Sequence, residues 1–171
     1  VAGVGAELIR PETLSRFAEA LAPSGFDARA FVACYGMAEC SLAVSFAPLN
    51  IGVEVDRIDA DHLADENEAR PLLENSEDEE SPRARSFVVC GQPLPEFEVE
   101  VRDIHGIALQ ERRTGTIFLR GPSIMSGYFG NAEASSASLS SDGWLNTGDV
   151  GYRRGDDIVI TGREKDLIIM N

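Results

Sequence analysis

The chain has few of the residues that staple a fold or catalyse on their own. Its three cysteines, Cys34, Cys40 and Cys90, are an odd number without Cys-x-x-Cys spacing, and no histidine stands near them in sequence. A disulfide framework and a zinc site are both unsupported. His62 and His105 have no identifiable nucleophile partner, and no Gly-x-Ser-x-Gly is present, so an acyl-transfer serine is unsupported too. Gly3-Val4-Gly5 opens like a dinucleotide loop, but Leu8 stands where the third glycine is required. No apolar run approaches a membrane span, and no basic segment followed by an apolar one opens the chain. Basic patches with interleaved aromatics are missing, which argues against nucleic acid as a partner, and no repeat recurs at a fixed period. A cytoplasmic protein is the expectation.

Acidic residues are plentiful, but not evenly spread. Of a net charge of −14 over 171 residues, the interval 54–80 carries twelve Asp/Glu against two Arg, or −10, leaving −4 elsewhere. Residues 56–70 are polar with scattered apolar positions and 74–82 almost purely polar, so an exposed, partly mobile insertion is expected over 51–86. The 43% hydrophobic content is otherwise that of a chain that buries a core.

Ahead of the insertion, residues 1–8 read as a strand, and a helix begins at Pro11 with Leu14, Phe17, Ala18 and Leu21 at helical spacing. Residues 31–34 read as a second strand, and a helical turn or two is expected over 40–46. After a strand-like 51–55 and the acidic segment, short alternating strands follow at 96–102 and 115–120, with polar residues 131–141 between them and a last hairpin. The fold class expected is α/β plus β: a piece of an α/β sheet layer, then a small antiparallel barrel-like subdomain. Expected boundaries are 1–50, the insertion 51–86, the β subdomain 87–162 and a hinge 163–171, all within a piece of a larger domain.

Two stretches carry chemistry. In the last hairpin, strands at 150–154 and 158–161 flank a turn at Gly155-Asp156-Asp157, which brings Asp149 near Arg163. Arg154-Gly155-Asp156 is here a turn rather than an adhesion signal. A carboxylate offers acceptors for a diol and a guanidinium offers forked donors for hydroxyls or phosphate, although a plain surface hairpin has the same spelling. Tyr35-Gly36-Met37-Ala38-Glu39 follows an apolar strand, where α/β folds keep ligand loops. Tyr35 there either covers a base or sits in the core; Glu39 either holds Mg²⁺ or starts a helix.

The order of the motifs is more specific than any one of them. Gly5-Ala6-Glu7, Tyr35 to Glu39, Gly115-Thr116-Ile117-Phe118-Leu119-Arg120-Gly121, Gly143-Trp144-Leu145-Asn146-Thr147-Gly148-Asp149 and Gly162-Arg163-Glu164-Lys165-Asp166 follow one another at intervals that resemble the adenylate-forming superfamily of acyl-CoA synthetases, luciferases and peptide-synthetase adenylation domains. Within it the chain is most similar to fatty acyl-AMP ligases, through Tyr35-Gly36-Met37-Ala38-Glu39-Cys40-Ser41, Val89-Cys90-Gly91-Gln92-Pro93 and Gly121-Pro122-Ser123-Ile124-Met125-Ser126-Gly127-Tyr128. Those ligases carry an extra segment where the acidic stretch lies here, associated with restraining the mobile C-terminal domain and disfavouring thioester formation with CoA.

The resemblance implies that a fatty acid carboxylate attacks the α-phosphorus of ATP, releasing pyrophosphate and giving an acyl-adenylate for an acyl carrier protein with a phosphopantetheine arm. It implies ATP and Mg²⁺ as cofactors, with Glu39 and Arg163 catalytic and Glu39 the metal ligand. Asp149 and Arg163 would hold the ribose and Tyr35 the adenine. Gly5, Ala6 and Glu7 would lie by the base or the acyl entrance, Met37 and Ala38 near the α-phosphate and the acyl carboxylate, with Gly36 also among the cofactor-binding residues, and Lys165 at the hinge. Thr116 stands where the family often has Glu and is expected to lie away from the site. The family's phosphate loop and catalytic lysine belong before Val1 and after Asn171, so the 171 residues alone are expected not to adenylate. An acyl-CoA synthetase and a non-catalytic AMP-binding homologue are the alternatives.

Overall fold

A computed structural model describes residues 1–72 and 83–166. The first layer starts as a β-α-β unit. Strand β1 (Ala2–Val4) pairs in parallel with β2 (Phe31–Met37), and helix α1 (Pro11–Leu21) connects them. Pro11 fits the first turn because its missing N–H is one that a helix start leaves unpaired anyway. Gly25, at φ 85°, stops the turn that follows the helix. Strand β2 extends three residues past the expected 31–34, so Tyr35, Gly36 and Met37 lie on a strand rather than in a loop.

The helical turns expected over 40–46 are replaced by a 3-10 turn, Ala38–Cys40, and strand β3 (Leu42–Phe46), antiparallel to β2. Short apolar runs do not distinguish helix from strand by periodicity. The left-handed backbone at Ser41, φ 63°, reverses the chain, so that residues 42–46 satisfy the free edge of β2. Gly36 is required there, because a Cβ would lie 1.7 Å from the Leu42 carbonyl oxygen.

The acidic segment is more ordered than its composition suggests. Strand β4 (Val55–Asp59), helix α2 (Ala60–Glu66) and strand β5 (Ala84–Val88) form a hairpin whose β4 lies at 55–59, not 51–55. Against the expectation that residues 56–70 bury little, Ile58 and Ala69 are fully buried and Asp56 is nearly so. Ile58 and Ala69 pack with Phe87, Val89, Tyr152 and Val159, which joins the segment to the β subdomain. Of the partly mobile insertion expected over 51–86, residues 73–82 lie outside the described residues, as do 167–171 of the expected hinge.

After the short β6 (Gln92–Pro93), which pairs with β3, the remaining strands form the expected small antiparallel subdomain. They are β7 (Glu98–Arg102), β8 (Gly115–Arg120), β9 (Leu145–Arg154) and β10 (Asp157–Arg163), hydrogen-bonded in the order β10-β9-β8-β7. Val101, Ile117 and Leu119 face the first layer, as the alternation predicts, and meet Tyr35, Val44 and Leu145 in the main core. Polar residues 131–141 contain helix α3 (Ala132–Ser138), capped by the Asn131 side chain, which accepts from the Ala134 N–H at 3.0 Å.

Candidate functional site

Asp149 stands on an irregularity of β9. Thr116 pairs with Val150 and Phe118 with Asn146, so Thr147, Gly148 and Asp149 all oppose the single residue Ile117. The side chains of this bulge hold it in shape. Thr147 Oγ1 donates to the Ile117 carbonyl at 2.8 Å and accepts from the Asp149 N–H at 3.0 Å, while Gly148 N–H donates to Asn146 Oδ1 at 2.9 Å. Gly148 adopts φ 68°, which glycine takes without steric cost.

Strand β10 has its own bulge. The register shifts between Ile160 and Gly162, leaving Thr161 as the extra residue and Arg163 directly opposite Asp149. Arg163 Nε lies 2.9 Å from Asp149 Oδ1. From the other layer, the Tyr35 hydroxyl donates to Asp149 Oδ2 at 2.7 Å. Asp149 is only 3% exposed, so both donors matter for keeping a charge there. Burial, then the Asp149 charge, pushes the Tyr35 phenol far above its ordinary pKa and keeps it a neutral donor.

These groups border a cavity of about 730 Å³ between the layers. Of the residues expected at the site, Ala6, Glu7, Tyr35, Gly36, Asp149, Arg163 and Lys165 line it. Gly5 lies beside the wall residue Cys34, and a Cβ on it would meet the Cys34 carbonyl oxygen at 2.6 Å. Three other expected residues are not brought to the cavity. Met37 packs on the core, and Ala38 and Glu39 form the 3-10 turn beyond it. There the Glu39 carboxylate accepts from the Tyr128 hydroxyl at 2.8 Å.

The model of the AMP-binding enzyme family matches residues 1–129. This chain belongs to the AMP-binding enzymes. It is 49% identical, over 99% of its length, to a putative acyl-CoA synthetase of Caulobacter vibrioides, of which it spans 29%. A structure from work on the fatty acyl-adenylate ligases of E. coli and L. pneumophila superposes at TM-score 0.89 with 43% identity, over the whole chain and 30% of that protein. A fatty acyl-adenylate ligase of L. pneumophila, in complex with acyl adenylate and pyrophosphate, gives 0.86 with 28% identity, over 99% of this chain and 30% of its own. The chain therefore spans just under a third of these relatives.

The cavity's size falls within the range of ligand pockets. Mg²⁺ is commonly held by one or two carboxylates together with substrate phosphates. Among the described residues no group of three His, Cys, Asp or Glu is placed to hold a metal. Glu39, a partly exposed carboxylate, fits the shared kind of site and not a closed cage. Cavity thiols are poor nucleophiles here: burial pushes Cys90 up to about 12 and raises Cys34 as well.

Sequence reasoning missed the outer wall of the cavity, which includes Leu63, Ala64 and Asn67 from the acidic segment together with Arg85. Nothing local in those residues announces it, because only the packing of β4 and β5 onto the β subdomain puts them there. Thr116 is not among the residues lining the cavity, yet it has a structural part beside it. Its hydroxyl bonds the Glu164 carboxylate, so it ties the turn after β10 to β8 immediately beside Arg163. Tyr128 stands in a motif to which the sequence assigns no role.

Proposed function

We propose that the protein carrying this chain is an ATP-dependent fatty acyl-AMP ligase, which joins a fatty acid carboxylate to AMP and delivers the acyl group to a phosphopantetheine-bearing carrier protein. The observation that carries the reading is the buried Asp149, held between Tyr35 and Arg163 at the edge of a nucleotide-sized cavity. An ionised carboxylate has lone pairs beyond the two in use, so Asp149 can accept the two ribose hydroxyls while its protein donors keep it fixed. Arg163, largely in solvent, turns its remaining guanidinium donors toward the same sugar or the phosphate next to it.

Tyr35 borders the base, with the Gly5-Ala6-Glu7 loop opposite it. Gly36, Met37 and Ala38 keep the chain close to where the α-phosphate meets the acyl carboxylate. Glu39 holds Mg²⁺, and that ion, when bound, offsets charge on the triphosphate and its leaving pyrophosphate. Lys165 belongs to the segment about which a C-terminal domain turns between half-reactions.

The 49% identity to a putative acyl-CoA synthetase favours a second reading, in which CoA is the acceptor. The test is the full-length protein with ATP, Mg²⁺ and fatty acids of graded length, followed by mass spectrometry. Acyl-adenylate that transfers to a carrier protein and not to CoA is the expected outcome. Efficient CoA thioester formation would replace it with the second reading, and no adenylate with any acid would overturn both.

A further inference from the structure

We infer that Tyr128 is a positioning residue that aims the Glu39 carboxylate at its cation. The inference rests on the metal role proposed for Glu39.

Three contacts run a single stretch of chain along the 3-10 turn that carries Glu39. Ser123 Oγ donates to the Cys40 carbonyl at 3.0 Å, Met125 N–H to the Glu39 carbonyl at 2.7 Å, and the Tyr128 hydroxyl to Glu39 Oε1 at 2.8 Å. Tyr128 is fixed in its turn from behind. Its N–H donates to Ser135 Oγ on α3 at 2.8 Å, and that hydroxyl donates to the Asn131 carbonyl at 2.7 Å. Gly127, at φ 143°, has a backbone conformation that side chains rarely adopt, and a Cβ there would sit tightly, 3.0 Å from Ser135 Oγ. The order of support is therefore α3, then Tyr128, then Glu39.

The contact is not one that burial demands. Tyr128 is 38% exposed and Glu39 is partly exposed, so water could satisfy both groups. What the hydroxyl adds is geometry. A solvated glutamate samples several rotamers, and a donor on Oε1 holds one of them, leaving Oε2 facing a fixed direction. A cation shared between one carboxylate and a triphosphate depends on that direction, since the protein supplies few other ligands.

The experiment measures binding of an ATP analogue that cannot be cleaved between its α- and β-phosphates, by calorimetry on the full-length protein over a magnesium titration. Adenosine, which needs no cation, is titrated in parallel. Tyr128→Phe is expected to raise the magnesium concentration for half-saturation about three- to tenfold, the cost of one unfixed side chain, with adenosine affinity unchanged. Ser135→Ala should move it in the same direction by less, and it carries the test if Tyr128→Phe does not fold. In a Glu39→Gln background the Tyr128→Phe change should add nothing. Unchanged magnesium dependence in Tyr128→Phe, or an equal loss for adenosine, would overturn the positioning role. Wild-type magnesium dependence in Glu39→Gln would instead overturn the metal role itself.

Discussion

Asp56 and Asp149 are two buried carboxylates with the same pair of partner types and opposite fates. Asp56 receives the Tyr152 hydroxyl at 2.6 Å and the Arg112 guanidinium at 3.0 and 3.4 Å; Asp149 receives Tyr35 at 2.7 Å and Arg163 at 2.9 Å. The arginines differ. Arg112 spans both carboxylate oxygens, donates to the Ala69 carbonyl as well, and keeps 24% of its side chain exposed. Arg163 approaches through Nε from a side chain that is 63% exposed, beside a cavity. The first cluster locks the acidic segment to the β subdomain, and the second leaves donors and acceptors facing a space that a ligand can fill. Composition alone does not separate a staple from a binding group; the freedom of the arginine does.

Removing either carboxylate tests that difference. Asp56→Ala strands a guanidinium and a phenol in the interior and should cost about 3–5 kcal/mol, the usual result of breaking a buried pair. Urea unfolding of the full-length protein, with hydrogen exchange of residues 55–66, reads it; a loss under about 1 kcal/mol would mean the cluster is no staple. Asp149→Ala should weaken ATP binding by about 2 kcal/mol, roughly thirtyfold, and stability by less than Asp56→Ala does. Unchanged nucleotide affinity in calorimetry would reduce Asp149 to a structural group.

The arginines should differ in the same sense, with smaller effects. Arg163→Ala is expected to change stability by no more than about 1 kcal/mol, as for other exposed pairs, yet to weaken nucleotide binding. Equal destabilisation by Arg112→Ala and Arg163→Ala would erase the contrast. The smallest effect is on pH. Burial and the neighbouring carboxylates raise both phenols above their unfolded value, so their contribution is complete below about pH 10 and declines as pH rises beyond it, where the unfolded tyrosines ionise. Tyr35→Phe and Tyr152→Phe should each flatten the alkaline fall in stability between pH 9.5 and 11, estimated from the usual tyrosine pKa of about 10. A slope unchanged in both would contradict the neutral-donor account.

Much of the β subdomain is legible because one face of each strand is buried: Val99 and Val101, then Ile117 and Leu119, mark the inner face by simple alternation. The acidic segment hides the same signal. Ile58 alternates with charges that look solvated, and the partner that makes Asp56 tolerable, Arg112, is 56 residues away. Helix α3 escapes because four of its seven residues are Ser or Glu and it is made by its cap and its packing on β9, not by an apolar stripe. At the site, the order of motifs picks out Asp149, Arg163 and Tyr35, but the Tyr35–Asp149 bond depends on how two layers meet. The bulges at 147–149 and 161 depend on strand register, which long-range pairing sets.

The extra residue at Thr161 has a further consequence for how this gene segment tolerates insertions and deletions. From the Gly155-Asp156 turn, β10 pairs with β9 one-for-one as far as Ile160, and continuing that count would bring Gly162 opposite Asp149. Straightening β10 with Thr161 kept would therefore move Arg163 one place past the carboxylate, whereas deleting Thr161 would remove the bulge and leave Gly162 opposite Val150 and Arg163 opposite Asp149. The bulge thus lets the hairpin lose a residue at this point without losing the pairing, while any residue kept between Ile160 and Gly162 has to be looped out to preserve it.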